Sequence, residues 1–177
     1  MTAALPYRIG HGYDLHRLQT GGVLMLGGVR VSEEISPIAH SDGDVVLHAI
    51  VDALLGAMGL GDIGDFFPNT DPRWENSPSE VFIKTVLTNV HEAGYRVGNC
   101  DVMVLAEKPK LKPFKMAMRI GLAKLLGVDE EQVNIKAGTN EGCDAIGRGE
   151  AIAAHAVILI VSDGADRGDA SRFSTPP

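Results

Sequence analysis

The chain has 177 residues, enough for one domain with a sizeable core, and its 45% hydrophobic and 22% charged content belongs to a globular protein, not a disordered one. A net charge of −7 argues against a nucleic-acid partner and leaves any phosphate substrate dependent on metal ions, helix N-termini and a few Lys or Arg. The two cysteines, Cys100 and Cys143, are far apart and outside any CxxC spacing, which excludes a disulfide framework and a thiolate zinc site and suggests a reducing compartment.

In chain order, a strand is expected near Tyr7–Gly12, running into an Asp14/His16 pair. Val23–Val31 reads as a short hairpin with Gly27-Gly28 as its turn. Ser41 or Asp42 is placed to N-cap a helix that continues to about Met58 and ends at Gly59 and Gly61. Residues Gly61–Ser77, rich in Gly, Pro, Asp and Asn, read as one long loop of the kind that is often functional. Ser77-Pro78-Ser79-Glu80 offers a capping box for a second helix, with Pro78 at its first position, running to about Ala93 and stopped by Gly94. A strand over Tyr95–Leu105 follows, then a rigid basic loop, Pro109-Lys110-Leu111-Lys112-Pro113.

The third helix is predicted over about Phe114–Leu126, with strands at Val133–Ala137 and Ala151–Val161 and a polar, Gly-rich loop, Gly138–Gly149, between them. This order implies a single α+β domain over residues 1–161, an α/β sandwich with helices on one face of a mixed sheet, followed by a tail over 162–177 expected to be disordered. The sequence has no signal-peptide pattern at its start and no apolar run long enough to span a bilayer. No membrane association is therefore expected. The expected location is the cytoplasm, or the plastid stroma for a plant-type source, although no transit peptide is seen.

Two segments carry the chemistry. In Gly10-His11-Gly12-Tyr13-Asp14-Leu15-His16, Asp14 and His16 are two apart and share one side of an extended chain. In Ala39-His40-Ser41-Asp42-Gly43-Asp44-Val45-Val46-Leu47-His48, Asp44 and His48 share a helix face. Alone, an Asp-x-His is usually a turn residue beside a surface imidazole, and a His on an apolar helix is usually a satisfied core residue. Together, Asp14, His16 and His48 supply the one carboxylate and two imidazoles that a zinc site with an open position needs. Asp44 suits a hydrogen bond to a ligand histidine or to the backbone more than it suits the metal.

His40 and Ser41 precede a helix start, where an anion is favoured; plain capping explains Ser41 but not His40. Asp52, one turn beyond His48, is either a buried hydrogen-bonded acid or part of a substrate site. Asp62, between Gly61 and Gly64, reads first as an Asx-turn and second as a carboxylate for hydroxyl groups. Lys110 reads first as a solvated surface lysine and second as part of a rigid loop, with Ala106 before it, whose free N–H groups suit a planar base. In the last polar loop Thr139 suits a phosphate oxygen and Glu141 a hard divalent cation, with Arg148 nearby. His11, His91 and His155 read as structural.

These segments, with Gly61-Asp62-Ile63-Gly64, Phe67-Pro68-Asn69-Thr70-Asp71 and Pro109-Lys110, closely resemble the 2-C-methyl-D-erythritol 2,4-cyclodiphosphate synthase family of the non-mevalonate isoprenoid pathway over about residues 7–161. The resemblance implies a cyclodiphosphate synthase domain, a homotrimer around a threefold axis and active sites between subunits. It implies Zn2+ on Asp14, His16 and His48, and Mg2+ or Mn2+ with the diphosphate at Thr139 and Glu141. His40 and Ser41 would meet phosphate, with His40 and Thr139 stabilising transition-state charge. Asp62, Ile63, Gly64, Phe67, Pro68, Asn69, Thr70 and Asp71 would line the substrate. Ala106, Pro109, Lys110 and Leu111 would take the cytosine end, and Arg148 would join the substrate-binding set.

One departure is clear. Gly138-Thr139-Asn140-Glu141-Gly142-Cys143-Asp144-Ala145 keeps Thr139 and Glu141, but Ala145 stands where many members carry an aromatic ring beside a pocket on the trimer axis. The implied reaction is cyclisation of 4-diphosphocytidyl-2-C-methyl-D-erythritol 2-phosphate with release of CMP. A zinc-dependent phosphoesterase and a non-catalytic binding protein are the competing readings.

Overall fold

The computed structural model describes residues 6–68, 70–74 and 77–164. Five strands make one mixed sheet. They are β1 (Tyr7–Thr20), β4 (Ile35–Pro37), β5 (Tyr95–Leu105), β6 (Val133–Gly138) and β7 (Ala151–Ser162), in the order β4-β1-β7-β5-β6. β7 is central and antiparallel to both β1 and β5, whereas β5 and β6 run parallel. The hairpin is β2 (Leu24–Leu26) with β3 (Val29–Ser32). Its two turn residues, Gly27 and Gly28, both have positive φ, as a tight two-residue hairpin turn requires.

Helix α1 (Val45–Met58) lies across β1 and β7, α3 (Ser79–Glu92) packs beside α1, and α4 (Lys115–Leu126) backs β6. α1 is apolar nearly all round, and Val45–Val51 are all buried, because it is enclosed between the sheet and other elements. The period-2 alternation of β1 puts Gly10, Gly12, Asp14 and His16 on the helix side. Ile9, His11, Tyr13 and Leu15 occupy the opposite face, where Ile9 is 66% exposed and Val157 of β7 is 43% exposed. The helices thus cover one face of the sheet, as expected, and leave an apolar strip on the other.

Several local expectations change. The N-cap of α1 is Asp44, not Ser41 or Asp42: its Oδ1 accepts from the Val46 and Leu47 N–H groups at 3.1 Å. Gly43, at φ +67°, turns the chain one step later than expected, and Asp42 is drawn to another partner. The capping box at Ser77–Glu80 does not form: Pro78 caps α3 without a side-chain bond, and Glu80 instead pairs with Lys84. The expected loop Gly61–Ser77 contains a short helix α2 (Ile63–Phe66) and a 3-10 turn at Pro72–Trp74. The last polar loop holds α5 (Asp144–Gly147). Ser162, expected in the tail, is the last residue of β7; the rest of the tail beyond Gly164 lies outside the described residues.

Candidate metal centre and substrate cavity

Asp14 and His16 reach the helix side of β1 because they are two residues apart on a strand, and His48 meets them from the first turn of α1. Asp14 Oδ2 lies 2.9 Å from His48 Nδ1 and 3.4 Å from His16 Nε2. Ligands held at 2.0–2.1 Å around a tetrahedral cation sit about 3.3 Å apart, so these three atoms are spaced for one ion. His16 Nε2 is buried and has no hydrogen-bond partner, an orphaned lone pair that such an ion would satisfy.

The two imidazoles respond oppositely to the same carboxylate. Burial is the largest influence on each and opposes the charged form. In His16 it prevails over Asp14 and the pKa falls below the ordinary histidine value. In His48 it is outweighed by the hydrogen bond and charge of Asp14, so the pKa rises.

A shell of side chains fixes His48. Its Nε2 lies 2.8 Å from Ser79 Oγ and 3.2 Å from Ser41 Oγ. Ser79 is fully buried, and both its backbone N–H and its hydroxyl contact the Asp42 carboxylate. Sequence reasoning missed Ser79 because it falls just inside the helix that the Ser77–Glu80 pattern signals; only the fold brings it to His48. Asp44 does what was expected of it through the backbone. Beyond capping α1, its oxygens accept from Gly27 N–H and Gly28 N–H at 2.8 Å each, locking the hairpin to the helix start. Burial raises its pKa against these N–H donors.

The three clustered groups form one wall of a cavity of about 540 Å³. His40, Ser41, Ile63, Gly64, Phe67, Thr70 and Asp71 join them there. Trp74 and Phe82 were not foreseen. With Phe67 they make an aromatic floor, with ring centroids 4.6–5.8 Å apart. The Asn69 expectation lies outside the described residues.

Asp62 and Pro68 do not line the cavity. Asp62 N-caps α2 in a reciprocal box with Asp65, which realises the turn reading. Asp52 is a hydrogen-bonded acid, accepting from Ile63 N–H at 2.8 Å, and its burial raises its pKa.

The remaining candidates gather elsewhere. Ala106, Pro109, Lys110 and Leu111 follow β5, and Thr139 and Glu141 follow its parallel neighbour β6. Ala106 N–H bonds Gly138 O, so the two loops leave the sheet side by side. Ala106 and Leu111 are buried, whereas Lys110 is exposed. Thr139 Oγ1 donates to Glu141 Oε1 at 2.7 Å, and Glu141 sits in the left-handed region at φ +51°. Arg148 pairs with Glu150. None of these residues lines the cavity that holds the three ligands.

A family model described as the YgbB family matches residues 7–161. The chain belongs to this family. A relative from Thioalkalivibrio sulfidiphilus, named 2-C-methyl-D-erythritol 2,4-cyclodiphosphate synthase, is 54% identical over 88% of this chain and 97% of its own length. Among solved structures, the bifunctional IspDF of Campylobacter jejuni superposes with a TM-score of 0.84 at 39% identity, covering 88% of this chain; the chain spans 42% of that longer protein. The Plasmodium falciparum IspF CDP complex superposes with a TM-score of 0.81 at 33% identity, covering 92% of this chain and 100% of that one. YgbB membership thus agrees with the resemblance carried by the Gly10–His16 and His40–His48 segments.

Proposed function

We propose that this YgbB-family protein cyclises 4-diphosphocytidyl-2-C-methyl-D-erythritol 2-phosphate to 2-C-methyl-D-erythritol 2,4-cyclodiphosphate and releases CMP. The observation that carries the reading is the convergence of Asp14, His16 and His48 on the wall of a cavity flanked by His40 and Ser41. The names of the relatives support it, as does the CDP bound by the Plasmodium neighbour. The zinc-dependent phosphoesterase reading is not favoured, because the relatives are named for the cyclisation.

The substrate's 2-phosphate oxygen attacks the β-phosphorus. That nucleophile is already an anion at neutral pH, so no protein base is needed to create it. Catalysis then consists of folding a flexible chain and bringing two anions together, for which positioning of linked groups supplies up to about 7–11 kcal/mol. Zn2+ held by Asp14, His16 and His48, and Mg2+ or Mn2+ held at Glu141, would supply Lewis-acid polarisation and charge neutralisation.

The chain's own groups do the rest. His40 and Ser41 bind phosphate at the cavity mouth, and His40 with Thr139 stabilises charge as the leaving CMP departs. Ile63, Gly64, Phe67, Pro68, Thr70 and Asp71 shape the erythritol end, with Asp62 accepting from its hydroxyl groups. The loop of Ala106, Pro109, Lys110 and Leu111 receives the cytosine, and Arg148 joins the substrate-binding set.

The two loop groups stand apart from the metal wall, so a second copy completes the site. The apolar strip of Ile9, Tyr13, Leu15 and Val157 supports assembly through the bare face of the sheet, in a homotrimer with active sites between subunits. Nucleic acid and membrane have no place in this reading, and no helix among the described residues is long and apolar enough to cross a membrane. The cytoplasm suits the two free cysteines.

The test is product analysis by phosphorus NMR. Equal amounts of CMP and cyclic diphosphate, with no inorganic phosphate, are expected. Release of inorganic phosphate would overturn the proposal in favour of a phosphoesterase.

A further inference from the structure

We infer that Ser79 is a positioning residue for the metal centre: clamped by Asp42, its hydroxyl fixes His48 as the Nε2–H tautomer and so turns the lone pair of Nδ1 towards Asp14 and His16. This rests on the metal reading above and adds to it a specific relay, Asp42–Ser79–His48, built from residues outside the ligand set.

The direction follows from counting hydrogens. Asp42 accepts from Ser79 N–H at 3.0 Å through Oδ2 and from Asp44 N–H at 3.3 Å through Oδ1. The described residues place no Lys or Arg in an ion pair with it. A carboxylate holding two backbone N–H groups is an acceptor. Its contact with Ser79 Oγ therefore takes the single hydroxyl hydrogen. Ser79 Oγ then has only lone pairs left for His48 Nε2, 2.8 Å away, and the imidazole must be the donor there.

Ser41 Oγ, at 3.2 Å from the same nitrogen, accepts from Gly43 N–H and keeps a second lone pair that can share the Nε2 hydrogen once Ser79 has set its direction. Ser41 lines the cavity, whereas Ser79 is wholly buried, so only the Ser79 bond is sealed from solvent and substrate. With one hydrogen held on Nε2, the hydrogen an incoming cation would displace is the one Nδ1 shares with Asp14 Oδ2 at 2.9 Å, and Nδ1 would then carry the lone pair a metal ligand needs.

The same geometry separates this role from a purely structural one. Ser79→Ala removes the hydroxyl but keeps the backbone N–H that Asp42 uses to cap α3. Asp42→Asn keeps the shape, but its amide NH2, turned to Ser79 Oγ, makes that oxygen accept. The hydroxyl then donates its hydrogen bond to the lone pair of Nε2, which favours the Nδ1–H tautomer of the neutral ring.

The experiment is zinc affinity by chelator competition, with helix content and melting followed in parallel, on wild type, Ser79→Ala, Ser79→Thr and Asp42→Asn. Loss of about 10- to 100-fold in affinity is expected for Ser79→Ala and Asp42→Asn, the usual scale for a partner of a metal-bound histidine, with recovery in Ser79→Thr. In the zinc-loaded wild type a slowly exchanging imidazole N–H of His48 is expected by proton NMR, and its broadening in Ser79→Ala. Wild-type affinity in a folded Ser79→Ala, or a rapidly exchanging N–H in the wild type, would overturn the relay while leaving the metal reading intact. Failure of the wild type to bind zinc, or binding that survives His48→Ala, would instead overturn the metal reading.

Discussion

A Cβ placed on Gly12 would lie 1.9 Å from the carbonyl oxygen of Ala49. Two residues earlier on the strand, a Cβ on Gly10 would lie 1.7 Å from the carbonyl of Ala53, one turn further along α1. Strand and helix therefore touch backbone to backbone, and the small-residue rows Gly10/Gly12 and Ala49/Ala53 set the distance at which His48 meets Asp14. Gly12→Ala should force α1 off β1. The expected cost is at or above about 3 kcal/mol, the upper part of the overpacking range, read from urea unfolding, with zinc binding lost in whatever remains folded.

His48→Ala should abolish zinc binding and CMP release together while the fold persists. The ring is one of three clustered groups on the cavity wall, and its removal would leave only Asp14 and His16 to hold the proposed ion. Metal content by elemental analysis, turnover and far-UV circular dichroism check the three parts. Full turnover in this variant without zinc would remove the metal from the mechanism.

Zinc affinity should fall as pH drops. His48 has a raised pKa, so protons hold Nδ1 at pH values where an ordinary histidine is already neutral, and they compete with the ion there. His16, with a lowered pKa, stays neutral further into the acid range and contributes less to the competition. Chelator competition from pH 8 to pH 5.5 should show steep weakening through the His48 titration. In His16→Ala the residual affinity should keep that dependence.

Asp44→Ala should cost about 3 kcal/mol or more, because it removes an N-cap and leaves the N–H groups of Gly27 and Gly28 without their acceptor. A denaturation midpoint measures it. Asp44→Asn, which keeps an acceptor oxygen, should lose less.

The thiols should separate cleanly. Burial pushes the Cys100 pKa up to about 12, whereas Cys143 is exposed. Native protein treated with iodoacetamide at pH 8 should take one label, at Cys143, by mass spectrometry, and two labels in urea.

Residues whose role is periodic were legible in the sequence. Asp14 and His16 could be placed on one side of a strand, and Tyr95–Leu105 was bounded correctly by its apolar pattern and the preceding Gly94. What the sequence hid were long-range substitutions of one partner for another. Asp42, expected to cap α1, accepts the first N–H of a helix that begins 37 residues later, and Ser79, expected inside that helix, turns its hydroxyl to a histidine. The short strand Ile35–Pro37 was missed because three residues carry no alternation to detect. Trp74 and Phe82 come from different elements, and only the folded chain shows that Phe67 needs both.

The ligand set joins β1 to α1, with Asp14 and His48 separated by 34 positions in the chain, hairpin and β4 included. On the proposed reading, zinc bound there would act as a removable staple on the folded state, and at 100 times its dissociation constant it would add about 2.7 kcal/mol of resistance to unfolding. A cell starved of the ion would therefore lose part of the protein itself to unfolding and degradation, as well as the turnover of each surviving molecule.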